Sequence, residues 1–106
     1  MISWQRHGPK FPLVELALWM KSLTTTKFWV GYSELPPEIK KAARKQYRFW
    51  QSNPRHPSLQ FKPIDELWSV RVTQDYRALA ILEDDIYYWI WIGTHTEYDR
   101  ILKGKQ

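Results

Sequence analysis

The sequence predicts an α+β domain in which an N-terminal helical hairpin packs on a small, mainly antiparallel sheet, with a short C-terminal helix. Three observations predict it. Apolar residues recur at helical spacing between Phe28 and Trp50 and alternate from Leu59 onward. Two apolar runs, Arg77 to Leu82 and Ile86 to Ile92, flank Glu83-Asp84-Asp85, a tight turn of the kind that joins antiparallel strands. Helices that precede a run of strands, instead of alternating with them, segregate to one face of an antiparallel sheet.

Taken in order, residues 1–19 carry Pro9, Pro12 and Gly8 and sustain no period before Leu13, so they read as an appendage. Met20 opens MKSLTTTKFW like an ordinary chain start. The expectation is an upstream extension, or a start assigned too early, followed by one domain over 20–106. Thr26 suits an N-cap, and Phe28, Trp29, Tyr32 and Leu35 form the apolar side of a first helix that Pro36 and Pro37 end. Pro37 then suits the first turn of a second helix, with Glu38 near its positive end. Ile39, Ala42, Ala43, Phe49 and Trp50 make its apolar face, and Asn53-Pro54 stops it.

Strands are expected at Leu59 to Lys62, Trp68 to Thr73, Arg77 to Leu82 and Ile86 to Ile92. In the last of these, strict alternation puts Ile86, Tyr88, Ile90 and Ile92 on one face and Tyr87, Trp89 and Trp91 on the other. A strand apolar on both faces is central in its sheet. The row Tyr87/Trp89/Trp91 reads either as a stacking platform for single-stranded nucleic acid or as a surface covered by the N-terminal extension or by a partner. Gly93 is expected to break the strand, and Glu97 to Leu102 to form the last helix before the basic tail Lys103 to Lys105.

Composition bounds the function. A length of 106 residues suits one domain. No apolar run approaches the roughly 20 residues of a membrane-spanning helix, and Glu15 interrupts the one N-terminal stretch that resembles a signal peptide. Cysteine is absent, which excludes disulfides and thiolate chemistry and fits a cytoplasmic protein. The net charge of +5 draws polyanions or an acidic partner. Most of the excess lies between Pro36 and Lys62. His7, His56 and His95 have no metal-ligand spacing, and there is no Gly-rich phosphate loop or Ser/His/Asp arrangement. No metal or cofactor is expected.

Three segments carry a family resemblance: the Asn53–Lys62 motif NPRHPSLQFK after a helix, Val70-Arg71-Val72 followed by Tyr76-Arg77-Ala78, and Trp91 to Tyr98, WIGTHTEY. In this order and spacing the chain resembles the RelE/ParE toxin superfamily, on a ParE-like branch, over roughly residues 20–102. The resemblance implies two helices against an antiparallel sheet and neutralisation by a cognate antitoxin protein. It also implies one of two activities: cleavage of mRNA on the ribosome, or poisoning of DNA gyrase. A module that only binds its antitoxin is the third possibility.

By position, the resemblance points to Arg77, His95 and Tyr98 as catalytic candidates, with Lys62 and Arg71 as auxiliary cations. RNA cleavage without a metal needs a base for the 2′-hydroxyl, an acid for the leaving oxygen and cations for the phosphorane-like transition state. Imidazole titrates near neutrality and suits the first task; guanidinium suits the last. Each candidate has a plainer reading. His95 can cap a helix, Tyr98 can pack one, Arg77 can pair with Asp75 or Glu83, and Arg71 and Lys62 can be solvated strand residues. Lys41, Arg44, Lys45 and Arg48, spaced along the outer face of the second helix, are either a solvated stripe or a contact for rRNA or an acidic antitoxin segment. His56 reads as structural. The chain departs from RelE-type members in lacking a dense Lys/Arg set along its central strands.

Overall fold

The computed structural model describes residues 21–104. The expected appendage, with His7, and the end of the basic tail lie outside them. The elements are β1 (Lys21–Thr24), α1 (Thr26–Ser33), α2 (Pro37–Ser52), a 3-10 turn (Pro57–Leu59), β2 (Lys62–Ile64), β3 (Leu67–Thr73), β4 (Tyr76–Glu83), β5 (Ile86–Thr94) and α3 (His95–Gly104). The five strands form one sheet in the order β1-β5-β4-β3-β2. Among the described residues, no helix is long and apolar enough to cross a membrane.

The α+β class and the helical hairpin are as expected, but the sheet is mixed. β1 pairs with β5 in parallel, Lys21 beside Ile86 and Thr24 beside Trp89. The other pairings are antiparallel. With β1 on one side and β4 on the other, β5 is an inner strand, as its two apolar faces require. The cap of α1 sits one residue earlier than expected. Thr25 Oγ1 accepts from Phe28 N at 3.2 Å and donates to Trp89 O at 3.0 Å, so one hydroxyl starts the helix and ties it to the sheet. Gly31 allows the close seat: a Cβ there would stand 2.8 Å from the carbonyl oxygen of Ile92.

Pro37 opens α2 with Glu38 in its first turn, and the helix ends at Ser52, as the Asn53-Pro54 pair dictates. Its buried residues Ala43, Tyr47 and Trp50 face the sheet. Trp50, 1% exposed, meets Phe61, Tyr87 and Trp89 edge-on at ring distances of 5.7, 5.4 and 5.3 Å. Aromatic edge contacts of this kind add about 0.5–1.5 kcal/mol each beyond area burial.

Three local expectations are corrected. Leu59 to Lys62 is not a strand: Pro57 opens a 3-10 turn that buries Leu59, Gln60 takes a left-handed conformation with φ 45°, and pairing starts only at Lys62. The alternation along β5 fails at a bulge. Leu79 faces Trp91 but Ala80 faces Trp89, so Ile90 is the extra residue. Consequently Tyr87 and Trp89 join the core beneath the helices, while Ile90 and Trp91 turn to the opposite face. The row Tyr87/Trp89/Trp91 is therefore not one surface. Gly93 does not break β5 either, because its missing Cβ leaves room for the Trp91 ring and the Glu97 carboxylate.

Candidate functional site

Directly opposed residues in an antiparallel pair point to the same side of the sheet. Lys62 opposes Ser69, and Arg71 opposes Arg77. Arg77 in turn opposes Gly93. The side of Ser69 is also the side on which α3 lies, since Tyr98 packs there with Leu67 and Leu79. Lys62, Arg71 and Arg77 thus share the face that α3 covers in part, away from α1 and α2.

α3 is anchored at both ends of its first turns. Thr94 and Glu97 form a reciprocal cap: Thr94 N donates to Glu97 Oε1 at 3.0 Å, and Glu97 N donates to Thr94 Oγ1 at 3.2 Å. That cap starts the helix at His95, two residues earlier than apolar spacing alone implies. One turn on, Tyr98 is 6% exposed, and its hydroxyl shares a hydrogen bond of 2.9 Å with Ser69 Oγ. Of the two readings given for Tyr98, a catalytic group and a residue that packs the last helix, burial favours the second. In this geometry it fastens α3 to β3.

His95 stands at the end of the sheet where β3 turns into β4. Its backbone N–H donates to Asp75 O at 2.7 Å, its ring packs against Tyr98 at 5.4 Å, and Nδ1 lies 3.2 Å from Asp99 Oδ2. One contact thus fixes the backbone and two hold the imidazole, whose side chain is still 43% exposed.

Arg77 occupies the same end. Its Nη1 donates to the carbonyls of Thr73, Gln74 and Tyr76 at 2.6, 3.1 and 2.9 Å, which closes the β3–β4 turn and immobilises the guanidinium. Neither ion pair weighed for it, to Asp75 or Glu83, is formed among the described residues. Burial, and then the adjacent charge of Arg71, hold its pKa below the ordinary value, while Tyr98, Asp99 and Asp75 act in the opposite sense. Lys62 projects from the short edge strand β2 and is exposed.

The remaining candidates lie elsewhere. Lys41, Arg44, Lys45 and Arg48 are exposed on α2, across the sheet from α3. Arg44 Nη1 donates to Tyr32 Oη at 2.7 Å, and Lys45 Nζ sits 5.8 Å from the centre of the Phe49 ring. A groove along the free end of β3 is lined by Lys45, Gln46, Ser58 and Arg71 among others, so that one residue of the stripe and one of the arginine pair share it. His56 is structural, as read: Nδ1 accepts from Ser58 N at 3.2 Å, and the ring stacks on Phe49 at 4.5 Å.

Sequence reasoning missed Ser69 and Asp99, and it named Asp75 only as an ion-pair partner of Arg77, not as the backbone acceptor for His95. Two signals were present. Thr94-x-x-Glu97 is a helix-start pattern that would have placed His95 on α3, and His95-x-x-x-Asp99 is the spacing that brings two side chains together on a helix.

Residues 37–100 match the family model described as the ParE-like toxin domain. A search of curated protein sequences found no match. Among solved structures, the RelB–RelE antitoxin–toxin complex from Methanococcus jannaschii aligns at TM-score 0.59 and 18% identity, over 74% of this chain and 96% of that one. YafQ from E. coli aligns at 0.61 and 11%, over 74% and 97%. The YoeB/ParE toxin from Agrobacterium tumefaciens aligns at 0.57 and 18%, over 72% and 99%. At these identities the likeness is one of fold.

Proposed function

This chain belongs to the ParE-like toxin domain family, and on that premise we propose that it is a toxin that halts translation by cleaving mRNA on the ribosome. The observation that carries the reading is the Arg71–Arg77 pair, side by side on one sheet face with Lys62, and with His95 fixed at the start of α3 over the same end. Two adjacent guanidinium groups repel each other unless an anion lies between them. A scissile phosphate, which gains charge in its transition state, is such an anion.

The chemistry needs only groups on this face. His95 Nε2 takes the proton of the ribose 2′-hydroxyl, whose oxygen attacks the adjacent phosphorus. The bond from phosphorus to the 5′ oxygen breaks, and that oxygen takes a proton from Lys62 or water. The products are a 2′,3′-cyclic phosphate and a 5′-hydroxyl. Arg71 and Arg77 balance the charge of the intermediate, and Tyr98 holds α3, and so His95, in place.

The partners in this reading are mRNA on the ribosome and a cognate antitoxin that blocks the face. The α2 stripe is a second surface, open to rRNA or to an acidic antitoxin segment. Gyrase poisoning is the competing reading, with α3 and the basic tail as the contact, since Arg100 and Lys103 are exposed on α3. Inducing the full chain in cells without antitoxin, with pulse-labelling of protein and DNA, separates them. The account predicts an early fall in protein synthesis that His95→Ala abolishes. An early fall in DNA synthesis favours gyrase, and no effect leaves an antitoxin-binding module.

A further inference from the structure

The geometry points to Asp99 as a positioning residue that sets which nitrogen of His95 carries the proton. This rests on the proposed role of His95 as the base. An ionised carboxylate only accepts hydrogen bonds, so the contact of 3.2 Å between Asp99 Oδ2 and His95 Nδ1 requires the hydrogen of the neutral ring to sit on Nδ1. The lone pair is then on Nε2, the nitrogen that can abstract a proton. With the opposite tautomer, Nε2 is a donor and cannot act as base.

The surroundings restrict the alternatives. The His95 backbone is tied to Asp75 O, so the first residue of α3 cannot fray from the β3–β4 turn. The ring lies against Tyr98, which Ser69 holds, and this limits its rotation. Asp99 follows four residues later, where helix geometry stacks two side chains on one face. The charged residues linked to the pair are Asp75, whose carbonyl accepts from the His95 N–H, and Arg77 from β4, on which Asp99 acts. Asp99 and Asp75 also act on Arg77, so this carboxylate serves the imidazole and the guanidinium together.

A carboxylate 56% exposed on the rim of a phosphate site repels the substrate and contributes little stability through an exposed ion pair. Its place is explained if its function is to orient the imidazole, as partners of ligand and catalytic histidines commonly do.

The test is nitrogen-15 NMR of the His95 ring in the full chain, at a pH where the ring is neutral, alongside translation inhibition in a cell-free system. The wild-type protein is expected in the Nδ1–H form. Asp99→Ala is expected to move the ring toward Nε2–H and to lower inhibition about tenfold, within the range of such supporting contacts. Asp99→Asn, whose amide can donate to Nδ1 as well as accept from it, is expected to behave like Asp99→Ala, whereas Asp99→Glu, which keeps an acceptor-only carboxylate, is expected to retain the Nδ1–H form and most of the inhibition. Amide spectra of each variant show that α3 stays folded. A wild-type ring in the Nε2–H form, or a tautomer unchanged by Asp99→Ala while His95→Ala abolishes inhibition, overturns the inference and leaves the proposed function standing. Full inhibition by His95→Ala overturns both.

Discussion

Arg71 and Arg77 stand directly opposite each other across β3 and β4, and among the described residues no carboxylate forms an ion pair with either. Like charges opposed across a ladder destabilise a sheet by roughly 0.2–1 kcal/mol. The pair is held in place by what surrounds it: Arg77 is bonded to three turn carbonyls, and the backbone carbonyl of Arg71 accepts from Gln46 Nε2 at 2.9 Å.

Removing either arginine should therefore change stability in opposite directions. Arg71→Thr relieves repulsion and suits a strand, so stability in urea rises by about 0.5 kcal/mol while toxicity falls. Arg77→Ala frees three carbonyls and loses charge-assisted bonds, so stability falls by about 1–3 kcal/mol along with toxicity. If Arg71→Thr loses stability, the pair is not under electrostatic strain.

Tyr98 and Ser69 form a buried pair, and Tyr98→Phe leaves the Ser69 hydroxyl without its partner. The expected cost is about 1–2 kcal/mol, and Ser69→Ala in the same chain recovers part of it in a double-mutant cycle. Toxicity at a temperature where the variant is folded should persist. Its loss without a loss of stability would make Tyr98 a proton donor and not an anchor.

Binding of a short single-stranded RNA to the His95→Ala protein should weaken with salt. Three phosphate contacts, by Lys62, Arg71 and Arg77, give a slope of log K against log salt of about −2, and each substitution of one of them by Ala reduces its size by about 0.7. Lys41→Gln and Arg48→Gln leave the slope unchanged if the α2 stripe serves rRNA or the antitoxin. A reduced slope in those variants would place the RNA on α2.

Tyr87 provides a check on the core. Burial, and then the charge of Asp85, raise its pKa above the ordinary tyrosine value. A folded pKa above the unfolded one contributes stability that is complete below about pH 10 and is lost as pH rises through the folded value. Tyr87→Phe should flatten that alkaline decline in thermal melts. An unchanged pH dependence would mean that the hydroxyl is as well solvated as in the unfolded chain.

Much of the fold could be read locally. The helices announced themselves through Pro37, Glu38 and the Phe28-to-Trp50 spacing, and the β4–β5 hairpin through Asp84 and Asp85, which both take positive φ, at 51° and 67°. β1 could not be read, because Ser22-Leu23-Thr24 has one large apolar residue, and its partner lies more than sixty positions away on β5. The β5 bulge was illegible for a related reason: it is set by pairing with Leu79 and Ala80, not by its own residues. For the site, Lys62, Arg71 and Arg77 were nominated separately, but only the register brings them to one face. Burial then divided His95 from Tyr98, a distinction that residue type alone does not make.

The most direct test of the central claim is to incubate the purified chain with ribosomes stalled on a defined mRNA and to determine the ends of any fragments. The account predicts a cut within the occupied decoding site that leaves a 2′,3′-cyclic phosphate and a 5′-hydroxyl, and that is lost in Arg71→Ala and His95→Ala proteins. Intact mRNA, or cleavage unaffected by both substitutions, would contradict it.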